Sequence, residues 1–422
     1  MKKCVFMMTM LAVSWVSFSA DTYVWLHGLE GDPGLNTWDI YKAMYTPNNG
    51  YVLEYTSNNS INGIASDLYR NQIRPIDKGG TIVVIGHSMG GLVARSLLDH
   101  TNSISGLVTV GAAHNGSGLL KSVFDGRVYN FFANAVTMAN TAIDASLWSG
   151  VFSAPPVTTL AAPLVMPVTV FKNRTVNSTL FLLKHAMNSG VGIYQFGHAC
   201  VRDMIPGSAY LKQLNESEHT VPIVNVYGVE DHWQVVRALG SLSKVDLVKD
   251  ARNIDVSYDK EFFPALQTGM AYVYQIQNIH NVVYNTLGIA AIFMPWIWIT
   301  RELVMKARYE WDAIYRYLET GIHTDLAGVM GATSYKLQNY CIPKGVDLKK
   351  LTCKRAYLPV VTENDGILSR QDVYIQSGVT KHPVFNVRVL GVNHQEMGNH
   401  MSVRRLMNEI LNQKIYGEAF AK

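Results

Sequence analysis

Charge is scarce in this sequence, and the few charges that it has nearly cancel. Of its 422 residues, 16% are Asp, Glu, Lys or Arg, and the formal net charge at pH 7 is +4. A nearly neutral chain has no long-range attraction for the phosphates of DNA or RNA, so we expect no nucleic-acid partner. The sequence also lacks spaced zinc ligands, a phosphate-binding loop and internal repeats. We therefore expect a globular protein that needs no bound cofactor.

Cysteine is also scarce, with four residues in the chain. Cys4 lies in an N-terminal segment that we expect to be removed, which leaves Cys200, Cys341 and Cys353. An odd number of cysteines in an exported protein implies one leftover thiol. Cys341 and Cys353 flank a loop-like stretch with a proline and a glycine, so we favour a small disulfide between them. Three buried free cysteines are the alternative.

The first 20 residues have the pattern of a cleavable secretory signal peptide. Lys2 and Lys3 precede an uncharged apolar run, and small residues follow at Ser17, Ser19 and Ala20. The run is shorter than the about 20 apolar residues that a membrane anchor needs. We therefore predict cleavage after Ser19 or Ala20 and a secreted or periplasmic protein.

Short apolar runs alternate with helix-like segments through most of the chain. The strand candidates are residues 22–28, 51–55, 81–86, 106–112, 221–228, 356–362 and 384–391. Helical spacing follows in residues 61–76 and 91–103. This alternation predicts an α/β fold with a mostly parallel central sheet flanked by helices, in a single domain over residues 21–422.

Two stretches without any Asp, Glu, Lys or Arg interrupt this alternation, at residues 145–171 and 262–300. We interpret them as parts of two apolar cap insertions, about 121–215 and 255–345, beside a site that binds an apolar substrate. Buried core helices are one alternative. A membrane-spanning helix is another, although polar residues, glycine and proline interrupt the second stretch.

Residues 82–96, IVVIGHSMGGLVARS, place one serine between glycines where a strand must turn into a helix. Ser88 satisfies the pattern G-x-S-x-G in the strand-to-helix context of a nucleophile elbow. Flanking glycines let the strand and the helix approach closely while the serine adopts a strained backbone geometry. The alternative is a glycine-rich turn whose serine has no chemical role.

A serine nucleophile also needs main-chain donors that stabilise the oxyanion formed on its substrate. One donor usually follows the serine and the other lies in the loop after an earlier strand. We therefore predict an oxyanion hole from the N–H groups of Met89 and Leu29. We interpret the nearby His27 as a structural loop residue.

Several segments together resemble the α/β-hydrolase superfamily, and within it the bacterial-type secreted lipases and esterases. The matching segments are LHGLEG (26–31), GHSMGG (86–91), LVTVGAAHNGS (107–117), DMIPGSAYLKQLN (203–215), ENDGILS (363–369) and VLGVNHQE (389–396). They follow the superfamily's order of serine, acid and histidine, and the middle insertions have no match. The resemblance implies ester hydrolysis through an acyl-enzyme and leaves the substrate open.

The resemblance places the general base at His394, just after a late predicted strand. His400 is the nearest competitor, and we expect it at a helix that starts after Gly398. His114 resembles a turn residue with a packing role. Some secreted lipases hold a structural calcium near this loop, but Glu396 stands where an aspartate would be the expected ligand, so no metal is predicted.

Two aspartates compete as the acid of the triad. Asp365 follows a strand candidate and precedes Gly366, which permits a tight turn back toward the site. Asp231 also follows a strand candidate, but bulky residues come next and a whole insertion separates it from His394. We favour Asp365.

The expected function is an exported serine ester hydrolase that acts on acylglycerols or related lipid esters through Ser88, Asp365 and His394. The uncharged insertions indicate contact between the cap and a lipid interface. A phospholipase or an acyltransferase with the same triad is one alternative. A catalytically inactive binding protein is another.

Overall fold

The computed structural model describes residues 20–29, 38–127, 198–218, 221–229, 322–344, 347–376, 382–394, 396–398 and 400–421, together with isolated positions between 274 and 305. The predicted signal peptide before Ala20, Asp231 and most of both predicted cap insertions lie outside the described residues. Within the described residues, no helix is long and apolar enough to cross a membrane.

The described residues form eight strands: β1 Thr22–Leu26, β2 Gly50–Leu53, β3 Ile82–His87, β4 Ile104–Val110, β5 Ile223–Val229, β6 Thr333–Lys344, β7 Asp347–Val361 and β8 Val384–Leu390. Six of them make one sheet in the order β2-β1-β3-β4-β5-β8, and every neighbouring pair is parallel. The predicted parallel sheet is therefore confirmed.

The helices connect these strands on both sides of the sheet. They are α1 Trp38–Tyr45, α2 Ile61–Leu68, α3 Arg74–Ile76, α4 Met89–Leu97, α5 Gly118–Phe124, α6 Ala199–Asp203, α7 Ala209–Glu216, α8 Ile322–Val329, α9 Arg370–Val373 and α10 Met401–Leu411. A π-helical turn, Tyr69–Ile73, joins α2 to α3.

Alternate residues of each central strand face opposite layers of the core, as the two-residue period of a strand requires. Val24 and Val84 pack with the apolar faces of α2 and α4. Trp25 and Ile85 pack in a separate cluster with α1 and α10. Burial on both faces explains why these strands are continuous apolar runs in the sequence.

β6 and β7 form a separate antiparallel hairpin. The strand predicted at residues 356–362 is confirmed as the end of β7, but it pairs in this hairpin rather than in the central sheet. The prediction of a loop-like stretch at residues 341–353 is wrong, because most of these residues form strands. The tendency of a segment to form a strand depends on its local sequence. The strand with which it pairs depends on which other segments the fold brings beside it. Here the partner strand β6 ends at Lys344, only three positions before β7 begins at Asp347, so the loop-closure entropy is small.

The hairpin places Cys341 directly opposite Cys353 in the backbone register. This position is compatible with the predicted disulfide, which stays a prediction. Cys200 is buried, and its Sγ–H donates to the main-chain oxygen of Ser57 over 2.8 Å.

Candidate active site

Ser88 is the single residue between β3 and α4, and its backbone is strained. Its φ of 53° and ψ of −123° lie in a region that L-residues rarely adopt. The Ser88 N–H donates to the main-chain oxygen of Val110 over 2.9 Å, and Gly91 N–H donates to the Ser88 oxygen over 3.1 Å. These bonds hold the serine in position at the carboxyl end of the sheet.

The glycines around Ser88 are required by close backbone contacts. A Cβ added to Gly86 would lie 2.3 Å from the main-chain oxygen of Gly90, and one added to Gly90 would lie 2.4 Å from that of His27. Neither contact can be relieved by moving a flexible side chain. The glycines therefore let the loop after β1 approach the serine, as the motif predicts.

The imidazole of His394 lies against Ser88. His394 follows β8, and its Nε2 is 3.0 Å from Ser88 Oγ, although 306 residues separate the two along the chain. The His394 N–H donates to the main-chain oxygen of Asp365 over 2.9 Å. The ring is buried and can accept the hydroxyl proton of Ser88.

The carboxylate of Asp365 lies behind the imidazole, on the side away from Ser88. Its Oδ2 is 2.8 Å from His394 Nδ1. Its Oδ1 accepts the N–H groups of Ile367 over 3.0 Å and Leu368 over 2.7 Å. Both oxygens of this buried carboxylate are thus engaged, and the Nδ1–H tautomer of His394 is favoured. Asp231, the competing acid, lies outside the described residues.

The two predicted oxyanion donors lie on the elements that meet at Ser88. Met89 is the first residue of α4, where main-chain N–H groups have no partner inside the helix. Leu29 follows Gly28, whose added Cβ would lie 2.9 Å from the Cβ of Ser88. The loop after β1 is therefore in direct contact with the serine.

His27 fixes this loop from inside the protein. Its ring stacks on Tyr55 with a centroid separation of 4.0 Å, and its Nδ1–H donates to the Gly28 oxygen over 2.8 Å. The Tyr55 hydroxyl donates to the main-chain oxygen of His27. Burial lowers the pKa of His27, which keeps its ring neutral. These contacts agree with the prediction that His27 has a structural role in this loop.

Sequence reasoning did not single out His87, the variable residue between the first glycine of the motif and Ser88. Its Nε2–H donates to the main-chain oxygen of His394 over 3.1 Å. Burial, with a smaller effect of the neighbouring His394, lowers the pKa of His87 to about 3. The neutral ring therefore holds the histidine loop beside the elbow. The contact joins residues 307 positions apart, so local sequence gives no signal for it.

His114, His400 and Glu396 have structural contacts outside the array of Ser88, His394 and Asp365. Thr109 Oγ1 lies 3.0 Å from His114 Nε2, inside the core. His400 is the N-cap of α10, where its Nδ1 accepts the N–H of Ser402 over 3.2 Å. Glu396 accepts the N–H of Asn393 over 3.0 Å and so stabilises the turn that carries His394.

A second buried carboxylate, Asp372, lies in α9 shortly after Asp365. It forms a capping box with Ser369, whose N–H donates to Asp372 Oδ2 over 2.8 Å. Burial raises the pKa of Asp372 to about 7; hydrogen bonds from Ser369 and Gly118 oppose this shift, and the charge of Asp365 adds to it.

This pKa predicts a pH-dependent loss of stability. The folded protein binds the proton of Asp372 more tightly than the unfolded chain does, because aspartates of an unfolded chain titrate near pH 3.9. The stability that this bound proton contributes is therefore lost as pH rises from about 4 to about 7. The free energy of unfolding can be measured in urea at about pH 4, 6 and 8 for wild type and for Asp372→Asn. Across this range the wild-type value should fall by a few kcal/mol relative to that of the variant, at about 1.4 kcal/mol per unit of pKa shift. The exposed Asp67→Asn serves as the control. A constant difference between wild type and Asp372→Asn across this range would contradict the assignment.

The model of one protein family, the PGAP1-like alpha/beta domain, matches residues 39–151 of the chain. These residues include the elbow at Ser88. Together with the six-stranded parallel sheet, this match identifies the fold as that of an α/β-hydrolase. No curated protein matches the chain in sequence.

Solved structures with a similar fold include three lipolytic enzymes. Phospholipase PlaB from Legionella pneumophila is 15% identical, with a TM-score of 0.29 over 51% of this chain and 40% of that chain. Lipase BlEst2 from Bacillus licheniformis is 14% identical, with a TM-score of 0.29 over 50% of this chain and 66% of that one. Lipase 1 from Pelosinus fermentans is 11% identical, with a TM-score of 0.37 over 92% of this chain and 95% of that one. The chain thus spans about two fifths of the phospholipase that it matches.

Proposed function

We propose that the chain is an exported serine hydrolase that cleaves acylglycerols or related lipid esters through an acyl-enzyme. The observation that carries this proposal is the continuous hydrogen-bonded array from Ser88 Oγ through His394 to Asp365, with distances of 3.0 and 2.8 Å. A nucleophile, a base and an orienting acid within hydrogen-bond reach form the constellation that acyl transfer requires.

In the proposed reaction, Ser88 Oγ attacks the ester carbonyl carbon while His394 Nε2 takes the hydroxyl proton. The carbonyl oxygen becomes an oxyanion, which the N–H groups of Met89 and Leu29 stabilise. His394 then gives its proton to the leaving alcohol, and the acyl group stays on Ser88. Water, activated by His394, releases the acid and restores the serine. Asp365 stabilises the imidazolium in both steps.

The preference for lipid esters is proposed from the uncharged insertions. Among the isolated described positions of the second insertion, Val282, Ile289 and Ile292 are exposed apolar side chains. Apolar side chains facing water favour contact with an acyl chain or a lipid interface. The pattern of the first 20 residues supports export, and no cofactor takes part in the proposed chemistry.

Labelling with a fluorophosphonate and hydrolysis of a chromogenic ester series test this function. The probe is expected to modify Ser88, as peptide mass analysis would show, and heat-denatured protein should stay unlabelled. Hydrolysis should extend to long acyl chains and rise when the ester passes from monomers to an emulsion. Absence of the label would reject serine hydrolysis. Labelling with a smooth hyperbolic dependence on short esters would reject the lipid preference alone.

A further inference from the structure

The hairpin of β6 and β7 directly precedes the segment that carries Asp365. Its base is closed by a hydrogen bond from Thr362 N–H to the oxygen of Ala332, 2.8 Å long. β7 ends at Val361, four residues before Asp365. The base of the hairpin is therefore close in the chain to the proposed active site.

One face of this hairpin exposes large apolar side chains. Tyr335 pairs with Pro359 and Leu337 pairs with Tyr357, so these four alternate residues share one face. Tyr335 is 68% exposed, Leu337 50% and Tyr357 70%. Side chains of this size are usually buried in monomeric proteins, and such a cluster at a surface indicates a binding face.

The same hairpin concentrates positive charge. Residues 333–361 contain six Lys or Arg residues and one Asp, a net charge of +5 in a chain whose net charge is +4. The remainder of the chain therefore sums to −1. Among the described side chains of the hairpin, Lys336, Lys354 and Arg355 are exposed. The hairpin therefore carries more net positive charge than the whole chain does.

We infer that this hairpin docks the protein on a lipid surface that carries anionic headgroups. Basic residues are attracted to the negative potential of such a surface, and tyrosine is enriched at the boundary between headgroups and acyl chains. A second copy of the chain is a poor occupant, because two hairpins of charge +5 repel each other. The inference goes beyond ester hydrolysis, since docking needs no turnover.

Docking is tested by flotation of the full chain with vesicles of phosphatidylcholine, alone or with about 30% phosphatidylglycerol. We expect binding to the anionic vesicles that weakens as NaCl rises from about 0.1 to about 0.5 M. The triple variant Lys336→Gln, Lys354→Gln, Arg355→Gln should bind about a hundredfold less tightly, the product of about fivefold for each charge near the membrane. Tyr335→Ser with Tyr357→Ser should weaken binding with little change in its salt dependence.

The matched control is Arg70→Gln, Arg74→Gln, Lys78→Gln, which removes three exposed charges near the opposite, amino-terminal end of β3. It should bind as wild type does. Equal binding to both vesicle types, equal losses in the two triple variants, or a dimer that Tyr335→Ser and Tyr357→Ser dissociate would overturn the inference. Fluorophosphonate labelling of each variant reports the active site separately, so failure of the label with retained flotation rejects the proposed chemistry and leaves the docking intact.

Discussion

Replacing Ser88 with alanine is expected to lower kcat for ester hydrolysis by about 10⁴- to 10⁶-fold, because members of a triad act as a unit. The His394 ring would keep its bond to Asp365 but would have no hydroxyl within reach to activate. The strained φ of 53° belongs to the backbone between β3 and α4. The alanine variant should therefore fold, with a thermal midpoint close to that of wild type.

Ser105→Ala is the matched control for this variant. Ser105 is a half-buried serine of β4 whose Oγ–H lies 3.3 Å from the main-chain oxygens of Ile82 and Ala419, away from the elbow. It should keep full activity. If Ser88→Ala retained more than about a tenth of wild-type turnover, a loss far smaller than a triad predicts, the proposed nucleophile would be wrong.

Replacing Asp365 with asparagine is expected to depress kcat by up to about 10⁴-fold with a small effect on KM. The amide oxygen of asparagine can keep the hydrogen bonds from the N–H groups of Ile367 and Leu368. Its NH₂ group then faces His394 Nδ1 and donates to it. This arrangement selects the Nε2–H tautomer, which presents a proton to Ser88 and cannot accept one.

Asp231→Asn, purified beside it, separates the two acids that the sequence proposes. The Asp231 variant should turn over at nearly the wild-type rate, and the thermal midpoints of both variants show whether they are folded. A folded but nearly inactive Asp231 variant, beside an Asp365 variant of normal kcat, would exchange the two assignments. A pH profile of kcat for Asp365→Asn adds a readout of the base, since its loss of activity should be partly recovered at high pH.

The sheet could be predicted because its strands are signalled locally. Each of the central strands is a short apolar run that ends near a glycine or a polar turn, and burial on both faces makes the run continuous. The hairpin was missed for the opposite reason. Residues 356–362 have the composition of a strand, but composition does not specify which chain a strand pairs with.

The residues of the candidate site also differ in how well the local sequence predicts them. Ser88 could be singled out because the glycines at 86 and 90 are forced by steric contacts within a few residues of it. His87 and Asp372 could not be singled out. His87 contacts His394 and Asp372 contacts the start of α5, and both contacts form only when distant segments of the chain pack together. Burial then changes their pKa values, and burial is a property of the fold rather than of the local sequence.

The order of the strands in the sheet suggests which parts of the protein fold first. β1 to β4 all come from residues 22–110 and lie side by side, whereas β8 joins β5 only after a loop of 154 residues from 230 to 383 has closed. Closing long loops delays a contact. Ser88 therefore belongs to the early-forming half of the chain, and Asp365 and His394 arrive with the late half. During refolding, recovery of ester hydrolysis should lag behind recovery of secondary structure, so a probe of the serine's reactivity reports the last stage of assembly.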